Sequence, residues 1–563
     1  MRRTGQDQSI ALRGSVGSGK TEVRRLLISA LVNVASSAQS KKETKITKQV
    51  PASQFILESF GHSSTLANNN ASRFGCYTEL QYGEGYRLCG IKALPYHLDK
   101  SRLPKTAKGE RNFHVFHYLL AGATKEEAGH LRLDTPFRYL SGACYPSNVH
   151  DDASKADKLK EAFKLVSLSK RAVASIYRVL AAILHLGQLE FAMDKSRNED
   201  AASVLNHDVL EHIASLLGVA PADLESSLNT QTKLYPWKER VSFLLDPEGA
   251  SLARDDLAVT LYGLLFAWIS EYLNSKLSKE DFKSFVSILD FPGTQQSSSS
   301  SRTNGLDELC VNLANERIQS FLLEMAFESQ KAEYANEEVS SFLPGLNTTY
   351  FSNPDGVRIL ITKPGGLVHI IDDQAGKRGK SDSTMLNSMG KRWGQNSSFG
   401  WRASDEQQGR TGTFVVNHYD AQVTYNAEGF LENNRSTVSS NFISLFATAS
   451  SSFTGAGIGT RGSSDALVQE LFSSEAAKVV DGQQTGSGEK LKLRATLRVK
   501  PSMRRKGRDR ADSVSSEKAA EEEKFSEHGQ DFILGSLNGS LTVLLEALAE
   551  VSACQIYYIG SSR

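Results

Sequence analysis

The sequence predicts an α/β fold, a twisted and mostly parallel central sheet flanked by helices, and three observations lead there. A short apolar run at 9–12 passes through a glycine-rich turn into a helical pattern, and strand and helix patterns alternate to about residue 290. The chain has 563 residues, 40% of them hydrophobic, enough to bury a large core. Lys and Arg number 65 against 64 Asp and Glu, a formal charge of +1. No global field therefore points to nucleic acid, and a charged partner must meet a local patch.

The first unit carries the most chemistry. Ser9, Ile10, Ala11 and Leu12 suit a buried strand, and VRRLLISALVNVA, following Thr21, carries apolar residues at helical spacing. Between them LRGSVGSGKTEV (12–23) fits G-x-x-x-x-G-K-[ST] from Gly14 to Thr21. In that pattern glycines let successive backbone N–H groups converge on one anion, the lysine ammonium reaches the outer phosphates, and the hydroxyl can ligate magnesium. Gly14, Ser15, Val16, Gly17, Ser18, Gly19, Lys20 and Thr21 are thus the candidate phosphate cradle.

Next along the chain, CYTELQY (76–82) and RLCGIKAL (87–94), parted by a glycine-containing turn, read as a hairpin. Helical patterns follow at 175–187, 252–277 and 306–334. His185 has no partner histidine at helical spacing and reads as a packed core residue. SFVSILDFPG (284–293) is an apolar strand ending in Asp290, with Gly293 three residues on. Asn68 to Asn70 taken alone read as an ordinary turn.

Beyond residue 290 low-complexity breaks multiply, at 295–305, 450–464 and 481–489, with too little apolar area to offset ordering entropy. Lys490 to Arg510 carries ten basic residues and one acid, then an acidic, polar stretch follows. The domain expectation is a core over 1–445, a flexible basic and acidic insertion over 446–528, and the end of the core over 529–563. Five cysteines at 76, 89, 144, 310 and 554 form no C-x-x-C pair, which fits reduced thiols and no zinc site. No run of 18 apolar residues suggests a membrane span, and the start lacks the apolar core of a signal peptide, so a soluble, cytoplasmic chain is expected.

Four segments in one order, the glycine loop, NNNASRFG (68–75), GERNFH (109–114) and DFPG (290–293), resemble a myosin motor domain. LDKSR (98–102), ILHLGQLEF (183–191), NERIQSF (315–321) and HYDAQVTYNAEGFLENNR (418–435) extend the resemblance over nearly the whole chain. The wording resembles the motor-like domain of fungal chitin synthases. The resemblance implies a mostly helical lower subdomain, ATP and Mg2+ as ligands, Asn68, Asn70 and Ser72 as nucleotide contacts in switch I (68–75), and a relay-like helix at 306–334. Magnesium would be held by Thr21 and Ser72, with Asp290 on a metal-bound water, and the Gly293 amide in switch II (290–295) would sense the terminal phosphate. It further implies an actin filament as partner, met by the basic loop at 490–510, whose other reading is a solvated or nuclear-targeting-like loop. No acidic glycosyltransferase motif is present, so chitin synthesis belongs to a longer parent.

Two departures bear on chemistry. Ala71 stands where the family has a second serine, and Gln295 where it has the glutamate that pairs with the switch I arginine, here Arg73. Without that charge-assisted pair the closed site loses its latch, and the chemical step is expected to slow by a factor on the order of 10². The adenine-contacting segment that myosins carry ahead of the loop, and the converter and lever that follow 532–563, are not represented, so directional motion is not expected of this sequence by itself. Two functions stay open: a nucleotide-bound, actin-associated targeting module near the cytoskeleton, and an actin-dependent ATPase.

Overall fold

The computed structural model describes residues 1, 5–35, 41–140, 149–193, 201–234, 240–296, 304–337, 352–377, 379–403, 412–435, 438–447, 462–473, 532–551 and 553–558. The basic run at 490–510 and the stretch at 481–489 lie outside the described residues.

Five strands form the central sheet: β1 (Gln8–Arg13), β2 (Gly75–Tyr82), β3 (Leu88–Tyr96), β4 (Ser284–Asp290) and β5 (Ala553–Tyr558), in the spatial order β5-β1-β4-β2-β3. β1 is parallel to both β4 and β5, whereas β4 with β2 and β2 with β3 are antiparallel. The sheet is therefore mixed, which corrects the mostly parallel expectation. The tight 83–87 connection, with Gly85 at φ 70°, can only return the chain antiparallel.

Strand alternation splits the interior into two layers. Leu12, Cys76 and Ile288 face one apolar core, while their neighbours Ala11, Tyr77 and Leu289 face the other. The first core takes α1 (Lys20–Ala35), α2 (Lys41–Gly61), α3 (His114–Gly122), α4 (Lys170–Leu186) and α5 (Pro247–Leu277). The second takes α6 (Leu306–Leu323), the helices between Pro354 and Trp393, the hairpin Thr413–Asn417/Gln422–Asn426, and α7 (Ile533–Ala549). Among the described residues α5 is the one helix long and apolar enough to cross a bilayer, but Leu257, Leu261, Tyr262 and Leu265 are buried in the first core. His185 is a core residue as expected: its ring lies edge-on to Phe137 and Nε2 is 2.9 Å from the Leu131 carbonyl oxygen.

Two boundaries differ from expectation. The 306–334 helix is α6, then a π-helical turn at Glu324–Glu328, then a further α-helix at Ser329–Asn336. The buried face of α6 ends at Leu322, and the helix widens where it leaves the core. Within the expected 446–528 insertion, residues 462–473 are packed: Leu467, Val468, Leu471 and Phe472 join the first core, and Asp465 pairs with Arg178. Those four residues supply apolar side chains that the glycine and serine runs beside them in sequence lack.

Candidate functional site

The register of the sheet builds the site. Leu12 of β1 lies beside Asp290 of β4, so the two strands end together and release the glycine loop and the 291–295 segment at the same edge. The loop turns through Gly14, Gly17 and Gly19 at φ 149°, 77° and 94°, conformations that side chains disfavour, and Lys20 opens α1.

Lys20 is buried, and its Nζ donates to the carbonyls of Gly14 at 2.8 Å and Ser15 at 2.7 Å. Burial holds its pKa down to about 8 from 10.5, against the pull of Asp290 in the other direction. An anion in the loop would restore the proton, so binding takes up a proton wherever the pH exceeds the free value. Affinity for a triphosphate is therefore expected to be insensitive to Lys20 below pH about 8 and to fall nearly tenfold per pH unit just above it, readable by calorimetry across pH 7 to 9.5. A flat profile over that range contradicts the assignment.

Thr21 and Asp290 meet directly: the threonine hydroxyl donates to Asp290 Oδ2 at 3.1 Å. Burial raises the Asp290 pKa, opposed by Arg24 and Lys20. Arg24 Nε is 3.7 Å from Asp290 Oδ2, and its Nη2 is 3.1 Å from Glu58 Oε1. Burial alone would raise Glu58, yet His62, Arg25 and Arg24 outweigh it and hold that carboxyl down to about 2. Arg24 continues the buried stripe of α1 that runs Lys20, Arg24, Ile28, Val32, and that spacing was the available sign of a cation turned inward.

Gly293 lies against the loop. A Cβ there would sit 2.6 Å from the Val16 nitrogen and 3.0 Å from the Gly14 carbonyl oxygen, so only glycine allows the approach. The 68–75 segment comes in from the other side, where the Ala67 carbonyl oxygen is 3.6 Å from a Cβ built on Gly17.

The polar side chains of 68–75 point to local partners. Asn68 Oδ1 accepts the Asn70 N–H at 2.9 Å, closing a turn as the plain reading of that tripeptide expected. Asn70 Oδ1 is 3.1 Å from both His62 Nδ1 and His114 Nε2, an internal clamp. Ser72 donates its hydroxyl to the Phe74 carbonyl at 2.8 Å. So the fold brings Lys20, Thr21, Asp290 and Gly293 together, while Asn68, Asn70 and Ser72 have their side-chain oxygens engaged within their own surroundings.

Gln295 is likewise turned inward. Its N–H donates to Asn312 Oδ1 at 2.7 Å, its carbonyl accepts from Asn312 Nδ2 at 2.9 Å, and its own Nε2 donates to the Gly293 carbonyl at 2.7 Å. Arg73 pairs instead with Asp99, whose Oδ2 accepts from Nε at 3.0 Å and also from Nη2. The expectation that Arg73 lacks a charged partner at position 295 stands in this geometry, but the arginine is paired from elsewhere. Asp99 sits in LDKSR, which sequence reading noted without assigning it a role.

The fold and these contacts define an α/β protein with a strand, glycine loop and helix at the carboxyl edge of a mixed sheet, and two conformationally distinct segments pressed against that loop. The chain belongs to the myosin head (motor domain) family, whose model matches residues 1–500. It is 46% identical over 448 residues to chitin synthase 8 of Mycosarcoma maydis, covering 79% of this chain and 22% of that protein. Against chitin synthase 5 of Cryptococcus neoformans var. grubii it is 40% identical over 450 residues, 79% of this chain and 23% of the relative. Chitin synthase V of Metarhizium acridum is 34% identical over 485 residues, 80% of this chain and 25% of the relative. The chain thus spans about a quarter or less of the length of these curated relatives.

Proposed function

We propose that this chain is an ATP-binding, myosin-like module of a chitin synthase that associates with actin and helps hold the enzyme at sites of polarised growth, with weak hydrolysis of its own. The observation that carries the nucleotide reading is the meeting of Lys20, Thr21 and Asp290 beneath a loop whose Ser18 Oγ is buried with no hydrogen-bond partner among the described residues. An orphaned hydroxyl, an ammonium resting on the loop's own carbonyls and hard oxygen donors fit a magnesium-bound phosphate chain. Thr21 would ligate the metal directly, and Asp290 would hold it through water. The metal, when bound, supplies charge neutralisation on the phosphates.

The residues themselves do the rest. Lys20 exchanges its carbonyl contacts for phosphate oxygens, the glycine turns keep backbone N–H groups open to the anion, and Gly293 admits the 291–295 segment into contact with the loop. Weak hydrolysis follows from Gln295: its amide lies against Gly293, and no carboxylate from that position closes the site over Arg73. The chitin synthase reading rests on the named relatives, and actin on the family together with the basic run at 490–510. Placement near the cytoskeleton through the longer parent is part of the same proposal.

A second reading, an active actin-dependent ATPase, is favoured by the intact Lys20, Thr21 and Asp290 constellation. Calorimetry with Mg·ATP and a phosphate-release assay on the same protein separate the two. The first expects saturable heat with phosphate release at or little above background, with and without actin filaments. Sustained, actin-stimulated release supports the second, and absence of heat with any nucleoside triphosphate removes both.

A further inference from the structure

The residue just before the glycine loop is a buried cation. Arg13 ends β1 and is 4% exposed. Its Nη1 donates to Asn315 Oδ1 at 2.9 Å, Nη2 to the Asn315 carbonyl at 3.3 Å and to the Tyr419 hydroxyl at 2.7 Å, and Nε to Gln319 Oε1 at 3.3 Å. The guanidinium carbon also lies 5.3 Å from the centre of the Tyr419 ring. Burying a guanidinium is costly unless its donors are met, and a planar fork with this many aligned acceptors is held in one orientation.

The acceptors come from elements far apart in sequence. Asn315 and Gln319 lie on α6, and Tyr419 lies in the turn of the Thr413–Asn417/Gln422–Asn426 hairpin. Asn315 works in both directions, since its Nδ2 donates to the Pro292 carbonyl at 2.8 Å while its Oδ1 receives Arg13. One amide and one guanidinium therefore join the strand that feeds the glycine loop, the 291–295 segment and α6. One turn earlier, Asn312 grips both backbone polar groups of Gln295. Glu316, the next residue along from Asn315, accepts the Tyr419 N–H at 3.0 Å.

We propose that Arg13 is a positioning residue that staples α6 to the base of the glycine loop, so that the helix keeps one register whether or not the loop holds a nucleotide. Occupancy of the loop is then accommodated with α6 left in the arrangement it already has. The inference deepens the nucleotide-binding reading and takes its meaning from it, but the staple itself is a property of the nucleotide-free protein.

Hydrogen–deuterium exchange on the 563-residue chain tests it, comparing wild type, Arg13→Lys and Tyr419→Phe, each without nucleotide and with saturating Mg·ATP. Without nucleotide, Arg13→Lys keeps the charge and loses the fork, and amides of 306–323 are expected to exchange about tenfold faster while 170–186 and 284–290 are unchanged. Tyr419→Phe removes one acceptor and keeps the ring, so about threefold is expected, and it carries the test if Arg13→Lys does not fold. With Mg·ATP, wild-type 306–323 is expected to stay within about twofold of its free rate, whereas Arg13→Lys gains a nucleotide-dependent change of about threefold or more. That gain is something a purely structural role would not produce. Unchanged 306–323 rates in both variants, acceleration spread over the whole chain, or wild-type rates that shift about tenfold with nucleotide each overturn the staple. If ATP does not bind, no segment of any protein responds to it, and the nucleotide-free comparison still decides the staple.

Discussion

Lys20→Met is expected to weaken Mg·ATP binding by at least about a hundredfold, measured by titration calorimetry at pH 7, without lowering the thermal stability of the nucleotide-free protein. The first half follows from charge. A buried ammonium facing a phosphate contributes charge-assisted hydrogen bonds of about 1.5–3 kcal/mol each, and two such bonds exceed a hundredfold in affinity. The second half follows from the sign of the pKa shift. Lys20 is held down to about 8, so the folded, nucleotide-free protein disfavours its charge, and stability contributed by this group rises as pH passes from 8 towards 10.5. At pH 7 the charge is therefore a cost in the empty site, and methionine removes it while keeping the apolar stem. A variant that still binds contradicts the cradle assignment. One that loses binding only by unfolding contradicts the account of the buried lysine.

The parts of this site that were legible in sequence were local ones. The loop pattern, its strand and its helix are contiguous, and glycine at three left-handed positions leaves a spacing that can be read directly. The 76–94 hairpin and the long helices were legible for the same reason, since periodicity reports burial. It does not report the partner. Arg13, Arg24 and Arg73 look like surface charges in a list of residues, yet Arg13 and Arg24 are buried, the Arg73 side chain is only 9% exposed, and they are matched by groups 302, 34 and 26 positions away. β5 offers another case. A strand at the end of the described chain pairs with the first strand, and nothing in YYIG-type apolar sequence says which edge it joins. The packing of 462–473 was hidden by its surroundings, because four apolar residues within long serine and glycine runs average to low hydrophobicity although they sit on one helical face. The mixed sheet was misread because alternating strand and helix patterns suggest crossovers, whereas the hairpin at one edge of the sheet sets β2 antiparallel to both β4 and β3, so that one strand runs against the other four.

Asp99→Ala is expected to destabilise the fold by about 3–5 kcal/mol in denaturant unfolding, the cost of leaving one partner of a buried ion pair uncompensated. Arg73 and Asp99 have side chains 9% and 4% exposed, so little water could replace the lost carboxylate. Arg102 is close enough that the Arg73 charge helps to lower its pKa, second to burial, which leaves two cations sharing a site that has lost an anion. Removing both charges as Arg73→Met with Asp99→Leu is expected to cost less than Asp99→Ala alone, since no orphaned charge remains. The same background tests whether Arg73 can be reached from position 295. Gln295 is gripped on both backbone polar groups by Asn312, so Gln295→Glu introduced into Asp99→Ala is expected to recover less than about 1 kcal/mol. Full recovery would mean that the 290–295 segment swings freely to the arginine, and the residue at 295 would then account for the whole of the missing latch. No recovery, together with background phosphate release from Gln295→Glu alone, would place the loss of the latch in the route of the backbone as well as in the residue at 295.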